Sequence, residues 1–354
     1  MSKFNLLTVK EIRQETPNAV SIVFDIPATL KDDYKFTAGQ YLNIKYNNQG
    51  TEIRRAYSIC STPNSGELRI AVKKVEKGIF STYANEVLRV GDKLEVETPE
   101  GRFTIIPNAN VANNYAAFVA GSGITPVIAI IKTVLEQEAN STFTLVYGNK
   151  SAEETIFHQE LHLLQEKYND RLFIHFIYSR TKEDDCLFGR IGKAAINFVI
   201  NDTRSEKDFS KFFLCGPEEM IDLISLTLQE RGVDKENIAF EIFTPNNDNK
   251  VNIIVEESNN NATIKVTALV DDDEQSFEMP KNEILLNGVL KAGIDAPYSC
   301  QGGICSSCMC RIIKGSAIMQ KNSILSEDEI ADGLILSCQA LVTSDEIYID
   351  YDDV

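Results

Sequence analysis

The 354-residue sequence contains no apolar run approaching 18 residues, so no part of it reads as a transmembrane helix. Its first residues, MSKFNLLTVKEIRQE, lack the apolar core of a secretory signal, and the expected location is cytoplasmic. Histidine is scarce. His158, His162 and His175 are the whole complement, and all lie far in sequence from the cysteine cluster described below, which argues against a histidine-built metal site. Basic residues are also short, with 35 Lys and Arg against 52 Asp and Glu for a formal net charge of −17. A surface of that sign repels phosphate, so the expectation is no nucleic acid and no membrane among the partners.

What the chain does contain is placed unevenly. Residues 262–354 carry 16 acidic and six basic residues, more than half of the whole charge excess in the last quarter of the chain. Five of the eight cysteines, Cys300, Cys305, Cys308, Cys310 and Cys338, fall within 39 residues. Without a secretory signal a disulfide framework fits poorly, and a metal or cluster site fits better. The remaining composition, 43% hydrophobic and 25% charged, is that of folded domains. The length allows two or three of them.

The rhythm of the sequence divides it into three. Residues 1–107 hold short strand-like runs (NAVSIVFDI, QYLNIKY, RRAYSIC, LRIAVKKV, KLEVETP) broken by Pro, Gly and Asn, with one short helix near Ser81–Leu88, and predict an antiparallel β-barrel. In 108–243 strands alternate with helices, which predicts a doubly wound α/β domain with a parallel sheet. One stretch of it, between the RLFIHFIYS and KFFLCG strands, is less regular. Residues 244–261 are polar and asparagine-rich and read as a linker. In 262–354 a hairpin turning at Asp271–Asp273, a helix ended by Gly293 and a cysteine loop predict a compact α+β domain.

That loop, YSCQGGICSSC, sets Cys300, Cys305 and Cys308 in a C-x4-C-x2-C pattern, with 29 residues between Cys308 and Cys338. This is the spacing of a plant-type [2Fe–2S] cluster held by four thiolates. Gly302 and Gly303 are expected to let backbone N–H groups approach the sulfurs. A structural zinc site is the alternative, but its ligands come as paired C-x2-C knuckles, and Cys338 stands alone. Cys310 is expected to pack inward.

The first two domains carry weaker signals. In RRAYS, Arg55 can pair with a pyrophosphate, while Tyr57, two residues on, faces the same side and can stack on a flavin; Ser58 follows. Gly78 and Ser81 open the short helix with N–H groups suited to the same phosphates. Gly121-Ser122-Gly123-Ile124-Thr125-Pro126 joins a strand to a helix, with Thr125 expected as the cap and Pro126 at the first helical position. Cys215-Gly216-Pro217 repeats that geometry late in the sheet, and Glu241 is an unexpected acid in the apolar last strand.

Taken in order, R-x-Y-S, G-x-x-S, GSGITP and CGP resemble the ferredoxin–NADP reductase superfamily. Residues 262–354 resemble a plant-type ferredoxin domain, with LSCQA carrying the fourth ligand. Flavin domain, nicotinamide domain and C-terminal ferredoxin together are similar to the reductase components of multicomponent oxygenases, and the likeness extends to the reductases of phenylacetyl-CoA epoxidases. The resemblance implies an oxidoreductase with FAD (FMN being the alternative), NADPH and a [2Fe–2S] cluster on Cys300, Cys305, Cys308 and Cys338. It implies a flavin site at Arg55, Tyr57, Ser58, Gly78 and Ser81. The nicotinamide would meet Gly121, Gly123, Thr125, Cys215 and Gly216, with Tyr57, Ser58, Cys215 and Glu241 nearest the chemistry. Ser179 and Arg180, where the family reads the adenosine ribose, favour a 2′-phosphate and hence NADPH. The implied partner is an oxygenase component taking single electrons. The reductase of another Rieske or diiron oxygenase, a stand-alone diaphorase and a non-catalytic redox sensor are the rival readings; a sensor needs no hydride donor.

Overall fold

The computed structural model describes residues 4–203, 209–244 and 263–354, so the expected linker, save Thr244, lies outside the described residues. The chain divides into two compact units at Thr244/Pro245. The first holds a barrel and a parallel sheet.

The barrel comprises β1 (Phe4–Thr16), β2 (Ala19–Asp25), β3 (Tyr41–Asn48), β4 (Thr51–Ser58), β5 (Leu68–Lys73), α1 (Ile79–Glu86) and β6 (Lys93–Glu97). Its six strands run in the order β4-β3-β6-β1-β2-β5, all antiparallel. A bridge between Ile59 and Ile70 joins the two ends of that row. The β3–β4 hairpin turns on Gln49 and Gly50, both at positive φ, the conformation whose twist matches a two-residue hairpin. Leu7, Ile22, Leu42, Ile44, Ile59 and Ile70 point inward and are fully buried. Burial of each such side chain stabilises the fold by about 1.5–3 kcal/mol.

The parallel sheet follows: β7 (Asn114–Ala120), α2 (Ile124–Gln137), β8 (Thr142–Asn149), α3 (His158–Lys167), β9 (Leu172–Tyr178), β10 (Leu187–Phe188), α4 (Lys193–Thr203), β11 (Lys211–Pro217), α5 (Glu218–Glu230) and β12 (Ile238–Thr244). The strand order is β10-β9-β8-β7-β11-β12, every pair parallel. Chain progression reverses between β7 and β11, the place where open α/β sheets bind ligands. The irregular-looking stretch after β9 contains the two-residue β10 and α4. The core of this half is continuous with barrel residues, since Ala38, Cys60, Ala71 and Phe103 pack in the same cluster as Ile128, Phe143 and Phe213.

The second unit holds β13 (Thr263–Val270), β14 (Asp273–Pro280), α6 (Leu285–Lys291), β15 (Met309–Lys314), β16 (Ala317–Met319), α7 (Glu327–Ala331), β17 (Leu334–Leu336), β18 (Ala340–Val342) and β19 (Glu346–Asp350). A five-stranded mixed sheet, β14-β13-β19-β15-β17, packs beside the β16–β18 pair. The first hairpin does turn at the Asp run. Asp271 and Asp272 sit at positive φ, and the Asp352 carboxylate accepts both their N–H groups at 2.9 and 2.8 Å. Glycine at 293, at φ 85°, ends α6 as expected.

Candidate functional site

The alternation of β4 separates its two arginines. Arg54 is 4% exposed, paired with Glu52 at 2.8 Å and lying over the Phe4 ring. Arg55 is exposed on the opposite face, which it shares with Tyr57, at the β3 register positions of Ile44 and Leu42. Only Arg55 is therefore available to a ligand on the Tyr57 face. Burial pushes the Tyr57 phenol well above its ordinary range, and its ring leans on Phe80 at 5.5 Å.

Gly78 and Ser81 form the entry of α1, which starts at Ile79, two residues earlier than expected. A side chain at 78 would strike Ser81 Oγ at 2.2 Å. The Ser81 hydroxyl is already engaged, donating to Gly78 O and accepting from Val75 N, so it shapes the turn.

At the switch point, Gly121–Gly123 forms a single 3-10 turn and α2 begins at Ile124. Thr125 does not cap the helix. It is the second helical residue, buried, and donates to Ser122 O at 3.0 Å; Pro126 is third. The cap position falls to Gly123 because the turn is pressed onto β11: a Cβ there would lie 2.4 Å from Cys215 O and 3.1 Å from Cys215 Sγ. Gly216 is equally confined, against Met220 and Ala120.

Cys215 is fully buried, and burial pushes its thiol far up. Parallel register places Cys215 beside Glu241 on β12. Burial raises the Glu241 carboxyl to about 8, with a partly opposing hydrogen bond from Ser58 Oγ at 3.3 Å. That bond joins the barrel to the last strand of the sheet, across 183 residues of sequence. Ser58, Cys215 and Glu241 are thus brought together, with Tyr57 adjacent on β4 and Gly123 beneath Cys215. Ser179 and Arg180 stand apart, after β9, where their N–H groups donate to Asn149 O and Lys150 O.

One residue missed by sequence reading joins this group. Lys73, the last residue of β5, reaches from the barrel to within 3.8 Å of the Cβ position of Gly121, and burial lowers its ammonium. Nothing in LRIAVKK distinguishes it from a surface lysine; the domain packing does.

In the second unit the four cysteines of the expected pattern gather on the loop after α6 and on the 3-10 turn Ser337–Gln339. Cys300 and Cys305 sulfurs are 3.1 Å apart, and Gly302 N–H donates to Cys300 Sγ at 3.3 Å. Hydrogen bonds with Cys300 and Cys308, together with burial, push the Cys338 thiol far above its ordinary range. Contacts with Cys305 and Cys338, then backbone N–H groups, hold the Cys300 thiol well below its ordinary range. Backbone N–H groups of Gly302 and Ile304 aimed at Cys300 fit a cluster of net negative charge. Gly303 is also constrained from outside the cysteine loop. At φ 71°, its missing side chain leaves room for Lys321 O, which a Cβ would approach to 2.9 Å. Cys310, on β15, is buried and faces the core, as expected.

Three family models match consecutive stretches: an oxidoreductase FAD-binding domain at 6–105, an oxidoreductase NAD-binding domain at 118–225 and a 2Fe-2S iron-sulfur cluster binding domain at 268–343. The chain is 38% identical to one of the subunits of the 1,2-phenylacetyl-CoA epoxidase of Escherichia coli (strain K12), over 99% of both chains. It belongs to the flavin and [2Fe–2S] reductase components of multicomponent oxygenases. A further relative is the ferredoxin reductase component of 3-ketosteroid-9-alpha-monooxygenase from Rhodococcus rhodochrous, 32% identical over 99% of this chain and 97% of that one. Phthalate dioxygenase reductase shares the fold, with a TM-score of 0.61 over 98% of each chain at 23% identity. The FAD/NAD-binding domain of a Vibrio cholerae nitric oxide dioxygenase covers 69% of this chain at 28% identity and a TM-score of 0.60. The chain is accordingly an NAD(P)H-dependent oxidoreductase. None of its described helices is long and apolar enough to cross a membrane.

Proposed function

We propose that this reductase takes electrons from NADPH and delivers them singly to the oxygenase of a phenylacetyl-CoA epoxidase system. The observation that carries the reading is the meeting of Ser58 with Glu241 beside Cys215 at the switch point, in a chain that also bears the four-thiol loop. In this reading residues 1–107 bind FAD, 108–243 bind the nicotinamide, 244–261 link, and 262–354 hold the cluster. Its proposed location is the cytoplasm, where thiols stay reduced.

When bound, FAD accepts a hydride and the [2Fe–2S] cluster accepts and releases one electron at a time, so the chemistry belongs to the cofactors. The chain supplies orientation. Arg55 would pair with the pyrophosphate of FAD, beside the α1 entrance made by Gly78 and Ser81. Tyr57 would cover one face of the flavin ring, and Ser58 would hold its edge while remaining bonded to Glu241. Gly121, Gly123 and Gly216 keep the turn bare of side chains where the nicotinamide would enter, above Cys215; Thr125 holds the turn through Ser122 O, and Lys73 would answer the pyrophosphate. With a carboxyl raised to about 8, Glu241 holds its proton at neutral pH and keeps an uncompensated anion away from the flavin. Ser179, Arg180 and the neighbouring Lys150 offer a hydroxyl and two cations to a 2′-phosphate. Cys300, Cys305, Cys308 and Cys338 would ligate the irons.

Anaerobic titration with NADPH and with NADH, followed by visible absorption, tests the donor: bleaching of flavin and cluster at lower NADPH than NADH supports it, and the reverse order overturns it. The partner is tested by mixing the reduced protein with the phenylacetyl-CoA oxygenase component. The 3-ketosteroid relative supports a second reading, another oxygenase, and preferred transfer to that oxygenase would replace the first.

A further inference from the structure

Between the barrel and the parallel sheet lies a row of four charges remote in sequence. Arg69, on β5, is 6% exposed. Its Nη2 donates to Glu15 on β1 at 2.5 Å, its Nε to Ser21 Oγ at 3.0 Å, and its Nη1 to Glu160 on α3 at 3.3 Å. Glu160 in turn pairs with Lys132 on α2. The side chains of Glu15 and Lys132 are only 11% and 14% exposed. Burial alone would raise the Glu160 carboxyl, yet Lys132 and Arg69 hold it below its ordinary value.

The placement of these charges is informative. Lys132 sits on α2, the helix that follows the Gly121–Gly123 turn, and Arg69 on the strand that ends at Lys73. The Arg69 guanidinium also lies 5.0 Å over the ring of Phe157, the residue immediately before α3. Phe157 is 2% exposed and left-handed at φ 61°. A bulky residue held there is strained, and such strain persists only where its surroundings impose it. The next link leads back to the turn: the buried Tyr147 hydroxyl lies 2.9 Å from Gly121 O and 3.4 Å from Ile156 O, next to Phe157. Buried ion networks contribute little net stability, because desolvation offsets attraction, whereas they can fix a single geometry.

We propose that Glu15, Arg69, Glu160 and Lys132 form an interdomain latch that positions the Gly121–Gly123 turn, and with it the nicotinamide, relative to the flavin. Glu160 is its centre, a positioning residue that touches neither cofactor. The inference rests on the proposed hydride path, so the test contains an arm for each.

Flavin reduction is followed by anaerobic stopped flow, per bound flavin, with whichever of NADPH and NADH reduces the wild type. Glu160→Gln keeps the shape and removes the charge; Lys132→Met breaks the same row from α2. Lys35→Ala, in an exposed pair with Asp32 on the barrel surface, is the control. Both latch variants are expected to retain flavin and show a limiting rate at least about tenfold lower, since small misplacements of reacting atoms cost that much or more. The nicotinamide concentration giving half the limiting rate should stay near that of the wild type, and the control should match the wild type throughout. An unchanged limiting rate in both variants, or a loss that only tracks missing flavin, overturns the latch. A wild type reduced by neither nicotinamide overturns the proposed function instead.

Discussion

At the scale of single residues, the site depends on one absent side chain and one retained proton. Gly123 is bare because the backbone of β11 occupies the space a methyl would need. Gly123→Ala should slow flavin reduction by the nicotinamide and destabilise the first unit by about 1–3 kcal/mol, as overpacked cores do; a denaturant midpoint and a stopped-flow trace check the two effects. For Glu241 the sign follows from the direction of the shift. Its carboxyl titrates near 4.3 in an unfolded chain and, raised by burial, at about 8 in the folded one. Between these values the folded state keeps a proton that the unfolded state has lost. Stability therefore falls as pH rises through that window, by at most about 1.4 kcal/mol per unit, and levels off above it. Glu241→Gln should flatten the dependence, read as urea midpoints at about pH 5 and about pH 8.

At the scale of elements, short signals in the sequence were legible where local chemistry decided them. The turn at Asp271–Asp272, the stop at Gly293 and the C-x4-C-x2-C loop each depend on neighbours a few residues away. The α2 start was not legible in full: Thr125 and Pro126 have the chemistry of a cap and a first position, but packing of the turn against Cys215 moved the helix start to Ile124. The α4 helix was missed as well, in a stretch that reads as irregular. For the cluster loop, Cys305→Ser should abolish the visible absorption of the [2Fe–2S] centre while NAD(P)H-to-ferricyanide activity persists, because ferricyanide can accept electrons directly from flavin. Loss of both activity and absorption would contradict independent folding of the two units. Gly303→Ala should also weaken cluster retention, since left-handed backbone costs a non-glycine residue about 1–2 kcal/mol; iron content per protein is the measurement.

At the scale of the whole molecule, charge is divided between the two units, with 16 acids against six bases from residue 262 onward. An acidic electron donor associates faster with a basic acceptor, and salt screens that attraction. Transfer to the oxygenase component should therefore slow as ionic strength rises, while ferricyanide reduction, which needs no such docking, should lack that slowing. Equal salt dependence of the two rates would assign the acidity to solubility alone.

The sequence alone determined what depends on residue type and short spacing: three domains' worth of rhythm, the four cysteines, the glycine turn and the sign of the surface. Only the tertiary structure decided that Arg54 is buried against Glu52 while Arg55 stays exposed, that Ser58 meets Glu241 across 183 residues, and that Lys73 reaches Gly121. It alone joined Lys132, Glu160, Arg69 and Glu15. The physical reason is range. Propensity, turns and ligand spacing act over a few residues, whereas burial and pairing of charge arise from surfaces that meet only when separate elements have packed.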